Sequence, residues 1–198
     1  MQSLQEFINE KLILKRKMPE FFPKTKKELI RLLNDFIDNE DYNFWKIDVS
    51  EITDLSNLFG AVSTIDRDID LSDWDVSNVA YLEGTFMGLE HFTGKSIENW
   101  DVKNVTSMLS AFNGCKKLNC DFSSWDIKNV KNMSRMFNDC IEFVGDGLDE
   151  WDVSNCDDFS QMFKGCKNLD TNVISDWTIN DDAFTKGMLT NAGPKYKP

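Results

Sequence analysis

The stretch Trp125–Trp151, WDIKNVKNMSRMFNDCIEFVGDGLDEW, opens on Trp-Asp-Ile and closes on the tryptophan that starts its next copy. Copies begin at Trp74, Trp100, Trp125, Trp151 and Trp177, spaced 26, 25, 26 and 26 residues. A degenerate first copy begins at Ile47, 27 residues before Trp74. Self-similarity at such a period marks a solenoid, whose units stack because none can bury its own apolar face. The expected fold is therefore an α/β repeat solenoid, a leucine-rich-repeat-like stack of about six short-strand/helical-turn coils under an N-terminal helical cap. The expected layout is a cap over residues 1–45, repeats over 46–180 with copies starting at 47, 74, 100, 125, 151 and 177, and a C-terminal cap and tail over 181–198.

Positions within each copy keep their character. Three residues before the tryptophan stand Leu71, Ile97, Phe122, Leu148 and Ile174. Two residues after it stand Val76, Val102, Ile127, Val153 and Ile179, with Val49 in the first copy. Alternation about the tryptophan predicts a short strand with Trp and Val inward and the intervening Asp outward. Asn78, Asn104, Asn129 and Asn155 follow at one place, where an amide can bond the turning backbone. A helical or 3₁₀ turn is then expected, pairing Met108 with Phe112 and Met133 with Phe137. The phenylalanine recurs as Phe59, Phe86, Phe112, Phe137 and Phe163, and the copy at Trp177 loses the pattern after Ile179.

Ahead of the repeats, residues 2–17 carry helical spacing in Leu4, Phe7, Ile8 and Leu12. Pro19 and Pro23 bracket PEFFP, whose two phenylalanines are expected to tuck under the next helix. That helix starts with Thr25 as N-cap and Glu28 as its capping-box partner, presents Leu29, Leu32, Leu33, Phe36 and Ile37, and ends near Asn39. The tail GPKYKP is expected to fray.

Composition narrows the function. A 198-residue chain can bury roughly 70% of its unfolded surface. Its net charge of −12 argues against nucleic acid and against anionic membranes. Basic residues gather at the start, in Lys11, Lys15, Arg16 and Lys17, so the repeats are more acidic than the average. The start has no secretory pattern and no stretch reaches transmembrane length, which predicts a cytoplasmic protein without membrane insertion.

The segment WDVSN, followed by Met-x-x-x-Phe and Gly-Cys, together with FPKTKKEL before the first copy, resembles the BspA-type leucine-rich-repeat family of bacterial surface proteins. The resemblance covers roughly residues 20–179. It implies a leucine-rich-repeat-like fold and a place at the cell surface engaging partner proteins, and it supplies no catalytic residues.

Candidate chemistry is sparse. The outward Asp48, Asp75, Asp101, Asp126 and Asp152 form an acidic row, and carboxylates one strand spacing apart repel by roughly 1 kcal/mol in water. Three readings of the row are open. The carboxylates can be structural acceptors for backbone amides or for Ser77 and Ser154, with Lys103 and Lys128 neutralising part of the charge. The stripe Asp75, Asp101, Asp126 and Asp152 can dock a basic protein partner. It can also hold calcium, although the glycine-spaced aspartate pattern of calcium-binding β-helices is missing.

Cys115, Cys140 and Cys166 share one position with Val62 and Leu89, which predicts buried, reduced thiols rather than a zinc site. Cys156 stands where other copies carry valine, and Cys120 lies outside the pattern. The repeat tryptophans exchange with Ile47 and read as core, whereas Trp45 is expected at the junction with the cap. His91, the single histidine, has no nucleophile at readable spacing, and no glycine-rich phosphate loop occurs. The expectation is a non-enzymatic protein–protein interaction module with no cofactor and no metal. The alternative is a cell-surface adhesion module binding calcium or glycan.

Overall fold

Thr25 has an extended backbone, and its hydroxyl accepts the amide of Glu28. The Glu28 carboxylate in turn accepts the amide of Lys24 at 2.7 Å. With one donor of the first turn and the amide just before the cap satisfied, helix α1 runs over Lys26–Asp38 and stops at Asn39, the cap positions read from the sequence. Its stripe of Leu29, Leu33, Phe36 and Ile37 is buried against the first repeat. Phe21 meets the edge of Phe36 at 5.4 Å, while Phe22 stays exposed instead of tucking under the helix. The computed structural model describes residues 18–62 and 64–193. The helix read over residues 2–17 and the last five residues of the tail lie outside the described residues.

The tryptophan opens each repeat in the core. Trp74, Trp100, Trp125 and Trp151 are buried, and Trp177 is half-buried. Each of these indole N–H groups donates to the carbonyl three residues before the previous tryptophan: Trp100 to Leu71, Trp125 to Ile97, Trp151 to Phe122 and Trp177 to Leu148, at 2.8–3.2 Å. The same carbonyls accept the backbone amide of the tryptophan three residues on, so both acceptor sites of a buried oxygen are used. Phe59, Phe86, Phe112, Phe137 and Phe163 form a column of nearly parallel rings, with centroids 5.2–5.6 Å apart. Burying each such ring stabilises by about 1.5–3 kcal/mol before any gain from stacking.

The backbone between these anchors differs from the expected one. After Trp and Val the chain turns back at once: the amides of Val79, Val105, Val130 and Cys156 bond the carbonyls three residues earlier, at Val76, Val102, Ile127 and Val153. Pairing between repeats falls seven residues after the tryptophan, as single parallel bridges linking Asp54, Tyr81, Ser107, Asn132, Asp158 and Phe184. Beyond the bridge, alternate amides serve different partners. Met133, Arg135, Phe137 and Asp139 donate to Asp158, Ser160, Met162 and Lys164 of the next repeat, while Met136, Asn138 and Cys140 close turns within their own repeat. The residue ten after the tryptophan has positive φ throughout, at Asn57, Gly84, Ser110, Arg135, Gln161 and Gly187. A left-handed residue inside the run reverses the backbone and keeps each turn from continuing as a helix.

This corrects the fold class. Among the described residues there is one α-helix, five 3₁₀ turns and no strand longer than a single bridged residue, so the α/β leucine-rich-repeat-like solenoid of strand and helical-turn coils is not formed. The repeats are runs of turns tied side by side by backbone, indole and thiol hydrogen bonds. The outward Asp after each Trp looked like strand alternation. Its carboxylate instead closes a turn.

Candidate functional site

Asp75, Asp101, Asp126 and Asp152 are exposed and Asp48 is half-buried, and each accepts the amide two residues on. Asp48 bonds Ser50, Asp75 bonds Ser77, Asp101 bonds Lys103, Asp126 bonds Lys128 and Asp152 bonds Ser154, at 2.8–3.4 Å. This is the local geometry that Asp favours in turns, and it holds each carboxylate at the rim of its repeat. Amides of Asn78, Asn104, Asn129 and Asn155 then bond the carbonyls of Ser50, Ser77, Lys103 and Lys128 in the preceding repeat at 2.7–3.1 Å. The Asp turns are thus tied to one another, and the carboxylates form a continuous row.

The row is not uniformly acidic. The Lys103 ammonium lies 2.6 Å from the Asp101 carboxylate and holds its pKa below the usual carboxylate range. Lys128 does the same for Asp126 at 2.8 Å, and Asp126 raises the Lys128 ammonium in return. The Ser154 hydroxyl and amide lower Asp152. Repulsion from Asp126 opposes the shift at Asp101, and repulsion from Asp152 opposes it at Asp126, so the three charges share one field. All these side chains are about half-exposed, and such pairs contribute little to stability.

At its N-terminal end the row opens into a groove of about 510 Å³, walled by Met18, Trp45, Asp48, Asp73, Trp74 and Asp75. Trp45 stands on the 3₁₀ turn Phe44–Lys46, with its indole N–H bonded to Asn43 and the Lys46 ammonium 5.9 Å from its ring. Among the described residues Asp48, Asp73 and Asp75 have no lysine or arginine partner. Sequence reasoning placed Trp45 at the cap junction but missed the groove. Forming it requires a residue before the first repeat to face Asp73 and Asp75 on either side of Trp74, and no spacing within one repeat signals that.

The other candidates resolve as core or surface. The thiols of Cys115, Cys140 and Cys166 donate to the carbonyls of Phe86, Phe112 and Phe137 at 2.8–3.1 Å. All five cysteines are free and buried, and burial pushes their thiols up, Cys156 to about 11 and Cys166 to about 12. His91 is exposed. Among the described residues no three His, Cys, Asp or Glu side chains converge as metal ligands, and no helix is long and apolar enough to cross a membrane.

A family model described as Mycoplasma protein of unknown function, DUF285, matches residues 27–143 and, in an overlapping placement, 82–196. No curated protein and no solved structure matches the chain.

Proposed function

The chain belongs to the DUF285 family of Mycoplasma proteins of unknown function, and from that premise we propose a non-catalytic protein-interaction module that takes a basic protein segment on its acidic rim. The observation that carries this reading is the continuity of the exposed Asp152, Asp126, Asp101 and Asp75 with a groove whose three carboxylates lack a basic partner among the described residues. A cationic segment entering there meets Asp48, Asp73 and Asp75. Further along, its side chains compete with Lys103 and Lys128 for carboxylates that are held in place by their own turns. In a chain of net charge −12 the rim also steers such a partner, and salt screens that effect over about 8–10 Å.

Stopped-flow association with a decalysine peptide tests the reading. The double variants Asp101→Asn/Asp126→Asn and Asp73→Asn/Asp75→Asn keep an amide oxygen for each turn while removing two charges. Each is expected to slow association several-fold at low salt and to flatten its salt dependence, with the melting temperature little changed. A lowered melting temperature with unaltered association would make the carboxylates structural acceptors alone.

A further inference from the structure

We infer that the chain's own basic run Lys15–Lys17 seats in the acidic groove in cis, and that an external basic segment must displace it to enter. The inference rests on the reading of that groove as the acidic end of the docking rim, and adds what regulates it. Asp48 and the two carboxylates flanking Trp74 face the groove, and Met18 and Pro19 complete its wall. Backbone bonds pin the chain there: the amides of Glu20 and Phe21 donate to the Lys46 carbonyl at 2.7 and 2.9 Å, and the Asp48 amide donates to the Phe21 carbonyl at 2.8 Å. Phe21 thereby bridges Ile47 in parallel. The residues ahead of Met18 are therefore joined to the wall of the groove itself.

Charge and reach choose the occupant. Asp48, Asp73 and Asp75 have no lysine or arginine partner among the described residues, whereas Lys24, Lys26 and Lys46 nearby are paired with Glu51, Asp54 and Asp41. Directly ahead of Met18 stand Lys15, Arg16 and Lys17. An extended chain covers at most about 3.6 Å per residue, so these three residues begin within about 11 Å of the groove wall. Tethered cations at that range are presented at an effective concentration on the order of millimolar. The same run from a second copy lacks the tether and bears the full entropic cost of association. Each ion pair formed at such an open site is weak, so a partner carrying more cations can displace the run. A groove filled about nine-tenths of the time lowers a partner's apparent affinity about tenfold.

Titration calorimetry with decalysine compares the full chain, Lys15→Gln/Arg16→Gln/Lys17→Gln, and the charge-matched Lys164→Gln/Lys167→Gln/Lys186→Gln. The first variant should bind several-fold tighter than the second, up to about tenfold. Equal affinities would reduce the gain to net charge and overturn the proposal. A water-soluble carbodiimide, with no peptide present, reads the seat directly. It activates a carboxylate, the Lys15 or Lys17 amine displaces it as its urea, and an amide bond remains. Mass spectrometry should find amides within one chain to Asp48, Asp73 or Asp75, in preference to the exposed Glu20, which lies nearer in sequence. Amides to Glu20 alone, amides only between ¹⁴N- and ¹⁵N-labelled chains, or no amides at all overturn it. Decalysine binding to none of the three chains would sink the partner reading instead, and in-chain amides to the three aspartates would still uphold the seat.

Discussion

The repeats at Trp125 and Trp177 have the same length of turn-run and opposite fates. In the first, Phe137 is stacked between Phe112 and Phe163 at 5.6 Å on either side, and its four crossing amides are bonded. In the second, Leu189 holds the phenylalanine position and is 43% exposed, and the crossing amides have no partner among the described residues. Turn chemistry alone can thus shape a repeat, while a neighbour on each side is what buries it. Stability should follow neighbours more than local sequence.

The largest expected contrast is at those two residues. Phe137→Ala removes a wholly buried ring and should cost about 3–5 kcal/mol in denaturant unfolding, whereas Leu189→Ala should cost less than about 1 kcal/mol. Equal losses would remove the distinction between inner and terminal repeats.

The next contrast is with pH. Cys115, Cys140 and Cys166 belong to inner repeats, and burial raises their thiols above the unfolded value near 8.5. Below that pH both states keep the proton and nothing is lost. Above it the unfolded chain releases protons that the folded chain retains, so stability falls by up to about 1.4 kcal/mol per pH unit for each thiol until the folded pKa is reached. Urea midpoints at pH 7 and pH 10 should differ more for the native chain than for Cys115→Val/Cys140→Val/Cys166→Val. An equal difference would place the thiols outside the core.

A smaller effect probes the turns themselves. Ser110 has φ of 55°, a conformation that costs a side-chain-bearing residue about 1–2 kcal/mol. Glycine there relieves that strain but loses about 0.5–1 kcal/mol to chain entropy, so Ser110→Gly should be neutral or stabilising by up to about 1 kcal/mol. The next residue, Ala111, has no positive φ, and Ala111→Gly should destabilise by thermal melting. Destabilisation of similar size at both positions would contradict the left-handed register.

These positions also mark where the sequence stopped being readable. The period, the inward Trp, Val and Phe, the cysteine position and the Thr25 cap followed from residue type, because burial and capping act through side chains. The turn-run did not. Of the six left-handed positions ten residues after the tryptophan, two carry glycine, Gly84 and Gly187, while Asn57, Ser110, Arg135 and Gln161 are held there by hydrogen bonds to the next repeat. Alternation of Trp, Asp and Val suits a strand and a turn equally, and the Asp carboxylate bonding two residues ahead decides for the turn. The exposure of Asp75, Asp101, Asp126 and Asp152 was legible from that alternation. The groove was not, since Trp45 reaches it from outside the repeat.

Amide hydrogen exchange, resolved by residue, tests the central claim that alternate amides bind each repeat to the next. Met133, Arg135, Phe137 and Asp139 should exchange at rates set by global unfolding, and Thr185, Gly187, Leu189 and Asn191, at the same positions of the last repeat, near the rate of exposed chain. Equal protection in the two repeats, or rapid exchange at Phe137, would contradict it.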